Sequence, residues 1–368
     1  MGSSSAAAAD TWHVSPPVDV SAYAFSWLFF LLPALVFTKA DTGFFVFLIV
    51  AGVLTEAHRH LSLPYVFGDK EVLRVYPLRF VALPVALLLL FMCAPFLAAA
   101  EWTVAGVRPG VGLNAIATFG FLWNIWHVFA QKYGILRMYD AKAGDGKRVD
   151  GAVDRWLVFA WVPLYFTWVG PTQAAMFRKQ LSRGGALLEG AISLFTAAMP
   201  VAVPLAVVAL VAAHIVWLVH EHRAHRLRNR PRLVMAAGTT LLGSTFVAFD
   251  YRLAFGAFAF SHAVEYIVFL AAYMKKKYAK PLPHDPWLGR VLKRPRLAYA
   301  VFFIGLGLLF TWAARWGGSI APDAARPMFL GHRVATWLFW WMLFQSLLHF
   351  YWDGFLWKMR RPEVRAHL

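Results

Sequence analysis

The chain has 368 residues, of which 60% are hydrophobic, 17% aromatic and only 15% charged. Soluble domains contain roughly 45–50% apolar and about 25% charged residues, so this composition excludes an ordinary water-soluble enzyme and a disordered chain. The net charge of +17 fits the lysine and arginine excess in the cytoplasmic loops of membrane proteins, and we expect no nucleic-acid partner.

Ten apolar runs predict an all-α fold, a polytopic membrane helix bundle of about ten transmembrane helices. They lie near residues 22–38, 42–57, 78–100, 111–131, 156–175, 186–220, 233–250, 252–274, 297–315 and 333–357. The run at 186–220 contains two prolines, so it is either one kinked helix or a short segment followed by a span. Only Asp250 and Tyr251 separate the runs at 233–250 and 252–274, which predicts a tight hairpin.

The runs belong to one domain, with a short segment at each end. We expect residues 1–21 to be a disordered, low-complexity N-terminus, residues 22–357 a single transmembrane helical domain, and residues 358–368 a cytoplasmic tail. With both termini in the cytoplasm, the inside segments carry 27 of the 36 lysines and arginines, and nine remain elsewhere. This charge split predicts a multi-pass protein with cytoplasmic termini, in the inner membrane if the source is bacterial.

Nine of the 13 histidines fall in these spans or at their ends, all on the predicted cytoplasmic side of the midplane. They are His58, His60, His127, His214, His220, His222, His225, His262 and His349. Ionisable side chains are costly inside a bilayer and mark functional sites, and neutral imidazole is a common metal ligand. The pattern therefore predicts a metal centre, and we expect His127, His220, His222, His262 and His349 to be its first ligands.

Carboxylates and a tyrosine accompany the histidines at helical spacing. Glu221 follows His214 by seven residues, Glu265 and Tyr266 follow His262 by three and four, and Asp353 follows His349 by four. Each spacing places the two side chains on one side of a helix. We expect the carboxylates to bind the metal or orient its imidazoles, and Tyr266 to be a hydrogen-bonding or radical partner.

Two histidines are spaced differently, and the chain is poor in cysteine. His58 and His60 are two residues apart, so both reach one centre only if that segment leaves helical geometry. The single cysteine, Cys93, excludes an iron–sulfur cluster and a cysteine-rich zinc site.

The run His220-Glu221-His222-Arg223-Ala224-His225 resembles the histidine boxes of membrane-bound non-haem di-iron enzymes. These enzymes are the fatty-acid desaturases, the lipid and sterol hydroxylases and the alkane monooxygenases. The resemblance is confined to the metal-binding shell. It implies two iron ions held by histidines from several cytoplasmic helix ends.

The leading hypothesis is an integral membrane oxidoreductase that uses O₂ to hydroxylate, desaturate or cleave a lipid-like substrate. Its partners would be an apolar membrane-dissolved substrate, O₂ and an external electron-donor protein, because no flavin, haem or nicotinamide motif is visible. The alternatives are a zinc-dependent intramembrane hydrolase of the ceramidase type, a metal or proton transporter, and a b-type haem protein.

Overall fold

A computed structural model describes residues 12–37, 42–104, 108–143, 151–168, 185–224, 226–279 and 328–357, with scattered residues near 300 and at the C-terminus. Its helices are α1 (Pro16–Asp19), a π-helix (Val20–Ala24), α2 (Leu28–Val36), α3 (Thr42–His60), α4 (Ser62–Gly68), α5 (Lys70–Val75), α6 (Pro77–Ala99), α7 (Pro109–Lys142), α8 (Gly151–Phe159), α9 (Gly185–Arg223), α10 (Arg230–Ala248), α11 (Tyr251–Lys277) and α12 (Val334–Leu356). Residues 161–168 are also helical. The short strands β1 (Met328–Phe329) and β2 (His332–Arg333) pair antiparallel before α12. The all-α prediction is confirmed.

The number of membrane crossings differs from the expectation of about ten. Among the described residues, three helices are long and apolar enough to cross a bilayer: Pro77–Ala99, Ser193–Arg223 and Tyr251–Lys277. A fourth crossing results if Pro16–Ala24 and Leu28–Val36, bent by 62°, are one span. Two reasons account for the difference: the helices formed by other predicted runs are not apolar enough over the length of a bilayer crossing, and the runs at 156–175 and 297–315 fall partly outside the described residues.

Two local predictions are answered by the helix boundaries. The run at 186–220 is one continuous helix, α9, with Pro200 and Pro204 inside it. The hairpin at Asp250 is confirmed, since α10 ends at Ala248 and Asp250 accepts a hydrogen bond from the Arg252 N–H at the start of α11.

The N-terminal segment is ordered earlier than expected. Residues 16–24 are helical, whereas disorder was expected up to residue 21. The carboxylate of Asp19 accepts hydrogen bonds from the His13 backbone N–H and from the hydroxyl of Tyr139 in α7. These contacts attach the segment to the helical core.

Two apolar clusters flank the middle of the molecule. One joins α2, α7, the 151–166 region, α9, α10 and the first half of α11 around residues such as Phe129 and Phe258. The other joins α4, α6, α12 and the second half of α11 around residues such as Phe80 and Trp352. The helices α3, α7, α11 and α12 meet between them, and they carry the polar side chains described next.

Large apolar residues also cover much of the outer surface. Leu78 and Leu89 on α6, and Leu205 and Val208 on α9, are more than 60% exposed. Soluble proteins rarely expose contiguous apolar surface of this kind, so these faces fit contact with lipid.

Candidate metal centre

Four helices bring four histidines together in the interior. His58 comes from α3, His127 from α7, His262 from α11 and His349 from α12, and none is more than 5% exposed. Each imidazole has at least two of the other imidazoles as neighbours.

The ring positions define a compact cluster. The His58 ring centroid lies 4.8 Å from that of His262 and 4.9 Å from that of His349. The His127 centroid lies 4.9 and 5.0 Å from the same two rings, which are 5.7 Å from each other. His58 and His127 each contact both members of the His262–His349 pair.

A carboxylate completes this cluster. The Nε2 atom of His349 lies 3.5 Å from Nε2 of His262 and 3.5 Å from Oδ2 of Asp353, and the latter lies 3.6 Å from Nε2 of His127. Two ligands bound at about 2.1 Å to one ion are separated by roughly 3.0–4.2 Å, depending on the angle between them. The observed spacings fall in this range.

Two groups of donors could hold an ion, and they share one residue. His58, His262 and His349 form the first, and His127, His349 and Asp353 form the second, with ligand atoms within 4.8 Å of one another in each. The same nitrogen, Nε2 of His349, faces both His262 and Asp353. Because an imidazole nitrogen has one lone pair, the two groups fit the shell of a single ion.

Unpartnered nitrogens support a metal in this position. Both ring nitrogens of His58, Nε2 of His127 and Nδ1 of His262 are buried and have no hydrogen-bond partner within the described part of the chain. A buried polar atom without a partner is costly, and binding a cation would satisfy the imidazoles directed at the centre. The residues therefore fit a metal ion.

Asp353 is held by its other oxygen. Its Oδ1 accepts hydrogen bonds from Nε1 of Trp357 at 2.9 Å and from the Tyr266 hydroxyl at 3.2 Å. The Tyr266 hydroxyl also lies 3.3 Å from the hydroxyl of Ser62, which is 3.5 Å from Nδ1 of His349. These contacts leave Oδ2 directed towards His127 and His349.

Glu265, which was expected to bind the metal or orient an imidazole, faces a different partner. It forms a fully buried ion pair with Lys132, and it accepts hydrogen bonds from Ser261 at 2.6 Å and Gln131 at 3.0 Å. The Gln131 amide also donates to the backbone carbonyl of His262. Glu265 therefore neutralises a lysine beside the cluster and belongs to neither group of residues that could hold an ion.

The predicted site residues on α9 also lie outside the cluster. Glu221 accepts two hydrogen bonds from Arg232, at 2.8 and 2.9 Å, and Arg232 also bonds to Asp154 of α8. His214 bonds to the Leu210 carbonyl at 2.8 Å and to Thr240 at 2.9 Å. Glu221 thus belongs to a buried charge network that joins α8, α9 and α10.

The remaining predicted ligands are also placed elsewhere. His220 is half-buried and His222 is exposed, and neither belongs to a group that could hold an ion. His225 lies outside the described residues. Of the ligands expected first, the structure brings together His127, His262 and His349, but not His220 or His222.

His58 and His60 separate as an unbroken helix requires. Because α3 is helical through both, only His58 reaches the cluster. His60 contacts a different part of α12: its Nδ1 lies 2.9 Å from the Glu56 carbonyl oxygen, and its Nε2 accepts a hydrogen bond from Nε1 of Trp341 at 3.1 Å.

Several partners were missed by sequence reasoning. Lys132, Ser62 and Trp357 had no assigned role, although Lys132 is a lysine inside a long apolar helix and Trp357 follows Asp353 by one helical turn. Those two signals could have indicated a buried ion pair and an oriented carboxylate. The position of Ser62 beside Tyr266 has no sequence signal.

Comparison with known proteins gives no match: no protein-family model, no curated protein and no solved structure is similar to this chain. The site is therefore interpreted from its own geometry.

Proposed function

We propose that the chain is an integral membrane oxidoreductase that binds one non-haem iron ion through His58, His127, His262, His349 and Asp353, and oxidises a lipid-like substrate with O₂. The observation that carries this proposal is the convergence of four buried imidazoles and one carboxylate around His349. We place one ion where the resemblance implied two, because His349 is common to both donor groups.

The donor set favours iron over other metals. Nitrogen and oxygen ligands without thiolate suit non-haem iron, which takes up to six ligands and keeps open positions for O₂ and substrate. Catalytic zinc sites normally use three protein ligands and a water. Five converging protein donors exceed that number and leave one position of a six-coordinate ion for O₂, so the apolar substrate would lie beside the ion and not on it.

When bound, the iron would supply the O₂ chemistry, and the protein's own residues supply orientation and seclusion. Trp357 and Tyr266 hold Oδ1 of Asp353, so the carboxylate keeps its other oxygen towards the histidines. Phe350 packs on His127, with ring centroids 4.6 Å apart, and helps to exclude water from that side. An apolar substrate can enter such a site from the bilayer without losing strong hydration.

The stoichiometry requires an external reductant. Hydroxylation inserts one oxygen atom of O₂ into a C–H bond and reduces the other to water, whereas desaturation removes two hydrogens and reduces both oxygen atoms to water. Either reaction consumes two electrons and two protons from a donor. We assign these to an electron-donor protein, which the basic cytoplasmic segments proposed from the charge split would attract if it is acidic.

A zinc hydrolase is the second candidate, because His58, His262 and His349 form a three-histidine group of the kind that holds catalytic zinc. Asp353 would then act as a base towards a zinc-activated water. The fourth histidine, His127, has no function in this alternative.

The first test measures bound metal in purified protein. We expect about one iron per chain, and we expect His58→Ala to lose most of it because a ligand is removed. His60→Ala is the matched control, since His60 is two residues away on the same helix but bonds to Trp341. Zinc in place of iron would favour the hydrolase, and equal metal loss in both variants would contradict the assigned ligands.

The second test concerns the reaction. Expression in a host that lacks the gene, with iron, O₂ and reductant present, should yield a lipid that has gained one oxygen atom or lost two hydrogens. The product should disappear in His349→Ala and persist in His222→Ala, because His222 is exposed and away from the cluster. Mass spectrometry with ¹⁸O₂ checks the source of a gained oxygen, and oxygen from water would indicate hydrolysis instead.

A further inference from the structure

Beside the metal cluster lies Gln345, whose buried side-chain amide has no hydrogen-bond partner among the described residues. It is 1% exposed, and within the described part of the chain neither its oxygen nor its nitrogen has a hydrogen-bond partner. It precedes His349 by one helical turn on α12. Buried side-chain amides are nearly always satisfied, so two unpaired atoms at this position indicate that something else binds there.

Two contacts to α3 fix the direction in which Gln345 points. Trp341, Gln345 and His349 follow one another at four-residue spacing, so they lie along one side of α12. Trp341 donates a hydrogen bond to His60, and His349 contacts the ring of His58. Gln345 lies between them and therefore faces α3.

The facing helix has an unpartnered acceptor of its own. Glu56 precedes His60 by one turn on α3 and is 5% exposed. One of its carboxylate oxygens pairs with Arg59, and the other, Oε2, is buried with no partner among the described residues. The facing sides of α3 and α12 thus carry an amide that donates and accepts, and a carboxylate oxygen that accepts.

We propose that these groups bind a hydroxyl group of the substrate, so the substrate is a lipid alcohol rather than a plain hydrocarbon. This inference rests on the proposed function and specifies its substrate class. A hydroxyl donates one hydrogen bond and accepts others, which matches an acceptor at Glu56 and a donor at Gln345. An anionic head group is disfavoured by the Glu56 carboxylate, and an alkane leaves all three atoms unpaired.

The geometry also limits where the substrate is oxidised. Side chains four residues apart on a helix are separated by about 5–6 Å at their Cβ atoms. The hydroxyl bound at Gln345 is therefore about one helical turn from the His349 side of the cluster. The carbon to be oxidised is close to the hydroxyl and not at the far end of a long chain.

A matched pair of probes tests the assignment by binding alone. The unfolding temperature of the purified full-length protein is measured in detergent micelles with 1-hexadecanol or n-hexadecane at equal mole fraction. We expect the alcohol to stabilise wild type more, corresponding to about fivefold tighter binding for one neutral hydrogen bond. Gln345→Met, of similar length but without the amide, should reduce this preference by about that factor, because the Glu56 acceptor stays in place.

Ser346→Ala is the control variant. Ser346 is the next residue on α12 and buried, but its hydroxyl already donates to the Met342 carbonyl at 2.7 Å. It should keep the preference for the alcohol. Without a probe, Gln345→Met should unfold at the same temperature as wild type or higher, because an unpaired amide is removed.

Three outcomes would overturn the inference: equal stabilisation of wild type by both probes, an alcohol preference that is undiminished in Gln345→Met, or an unfolding temperature of probe-free Gln345→Met below that of wild type. The first would mean that the amide binds only water. Metal content is measured in the same samples. Retained iron together with any of these outcomes rejects the hydroxyl site and leaves the proposed function standing.

Discussion

Individual polar residues inside the bundle divide into two kinds according to what faces them. Glu265 faces Lys132, and Glu221 faces Arg232, so the charge of each of these two carboxylates is neutralised by an ion pair. The four clustered histidines face one another and Asp353 instead. A buried charge requires a partner, whereas neutral imidazoles can be collected without one, and this difference separates structural ion pairs from candidate ligands.

His13 is a residue-scale case in which burial controls titration. Although it precedes the first helix, it is 4% exposed, bonds to the Tyr23 hydroxyl at 2.7 Å and stacks on Phe269. Burial, aided by the nearby charges of Lys276 and Lys142, lowers the pKa of His13 to about 3. The ring is therefore neutral in the folded protein at any physiological pH.

We expect this residue to make the fold sensitive to mild acid. Below its ordinary pKa of about 6.5 the unfolded chain binds a proton that the folded chain refuses, so stability falls as pH drops from 6.5 towards 3. The loss between pH 7.5 and pH 5 should be about 2 kcal/mol. Unfolding of wild type and His13→Phe at both values checks this, and an identical pH dependence in the two proteins would contradict it.

At the scale of helices, close approach between backbones depends on particular small residues. Gly238 on α10 packs against the π-helix, and a Cβ atom there would lie 2.4 Å from the Ala24 carbonyl oxygen and 2.7 Å from its Cα. Backbone atoms cannot move aside as a flexible side chain can. The glycine therefore permits α10 to contact the N-terminal segment.

Gly238→Ala should separate these two elements and destabilise the protein by about 1–3 kcal/mol. Gly134→Ala on α7 is the matched control, because a Cβ there meets nothing within 4 Å, and it should be neutral or slightly stabilising. Thermal unfolding of both variants in the same detergent measures the difference. Equal effects would show that the α10 contact is not tight.

For the whole molecule, the arrangement in the membrane is the main open prediction. Three apolar helices, or four with the bent pair, fit a membrane protein, while the charge split predicts that the basic segments 132–155 and 275–296, which include the ends of α7 and α11, lie towards the cytoplasm. Segments between the spans must then alternate between the two sides of the bilayer.

Cysteine labelling tests this arrangement in a Cys93→Ser background, since Cys93 is exposed. Single cysteines at Gly144 and Asp285 should react only with reagent that reaches the cytoplasm, and one at Gly317 only with external reagent. The charge split is the reason for this expectation. Cytoplasmic labelling at Gly317 would require a different number of crossings in the second half of the chain.

The sequence by itself determined the helical class and the apolar helices that fit a membrane protein, and it drew attention to the histidines inside them. These properties follow from composition and from the length of hydrophobic runs, which can be read along the chain without knowing how the helices pack. Spacing alone left both His58 and His60 as expected ligands, and it was the unbroken helix α3 that allowed only His58 to reach the cluster. Asp353 and His349, at four-residue spacing, were paired correctly, because that spacing places both on one side of a helix.

Only the tertiary structure decided which helices share a centre. Glu265 follows His262 on α11 by nearly the same spacing as Asp353 follows His349 on α12. Both carboxylates meet helix α7, but Glu265 meets Lys132 there and Asp353 meets His127. Among the described helices, α9 carries the most of the predicted histidine ligands, but its Glu221 bonds to Arg232 and its His214 bonds to Thr240. Periodicity gives the side of a helix on which a residue lies, and the neighbour on that side is set by how the helices pack.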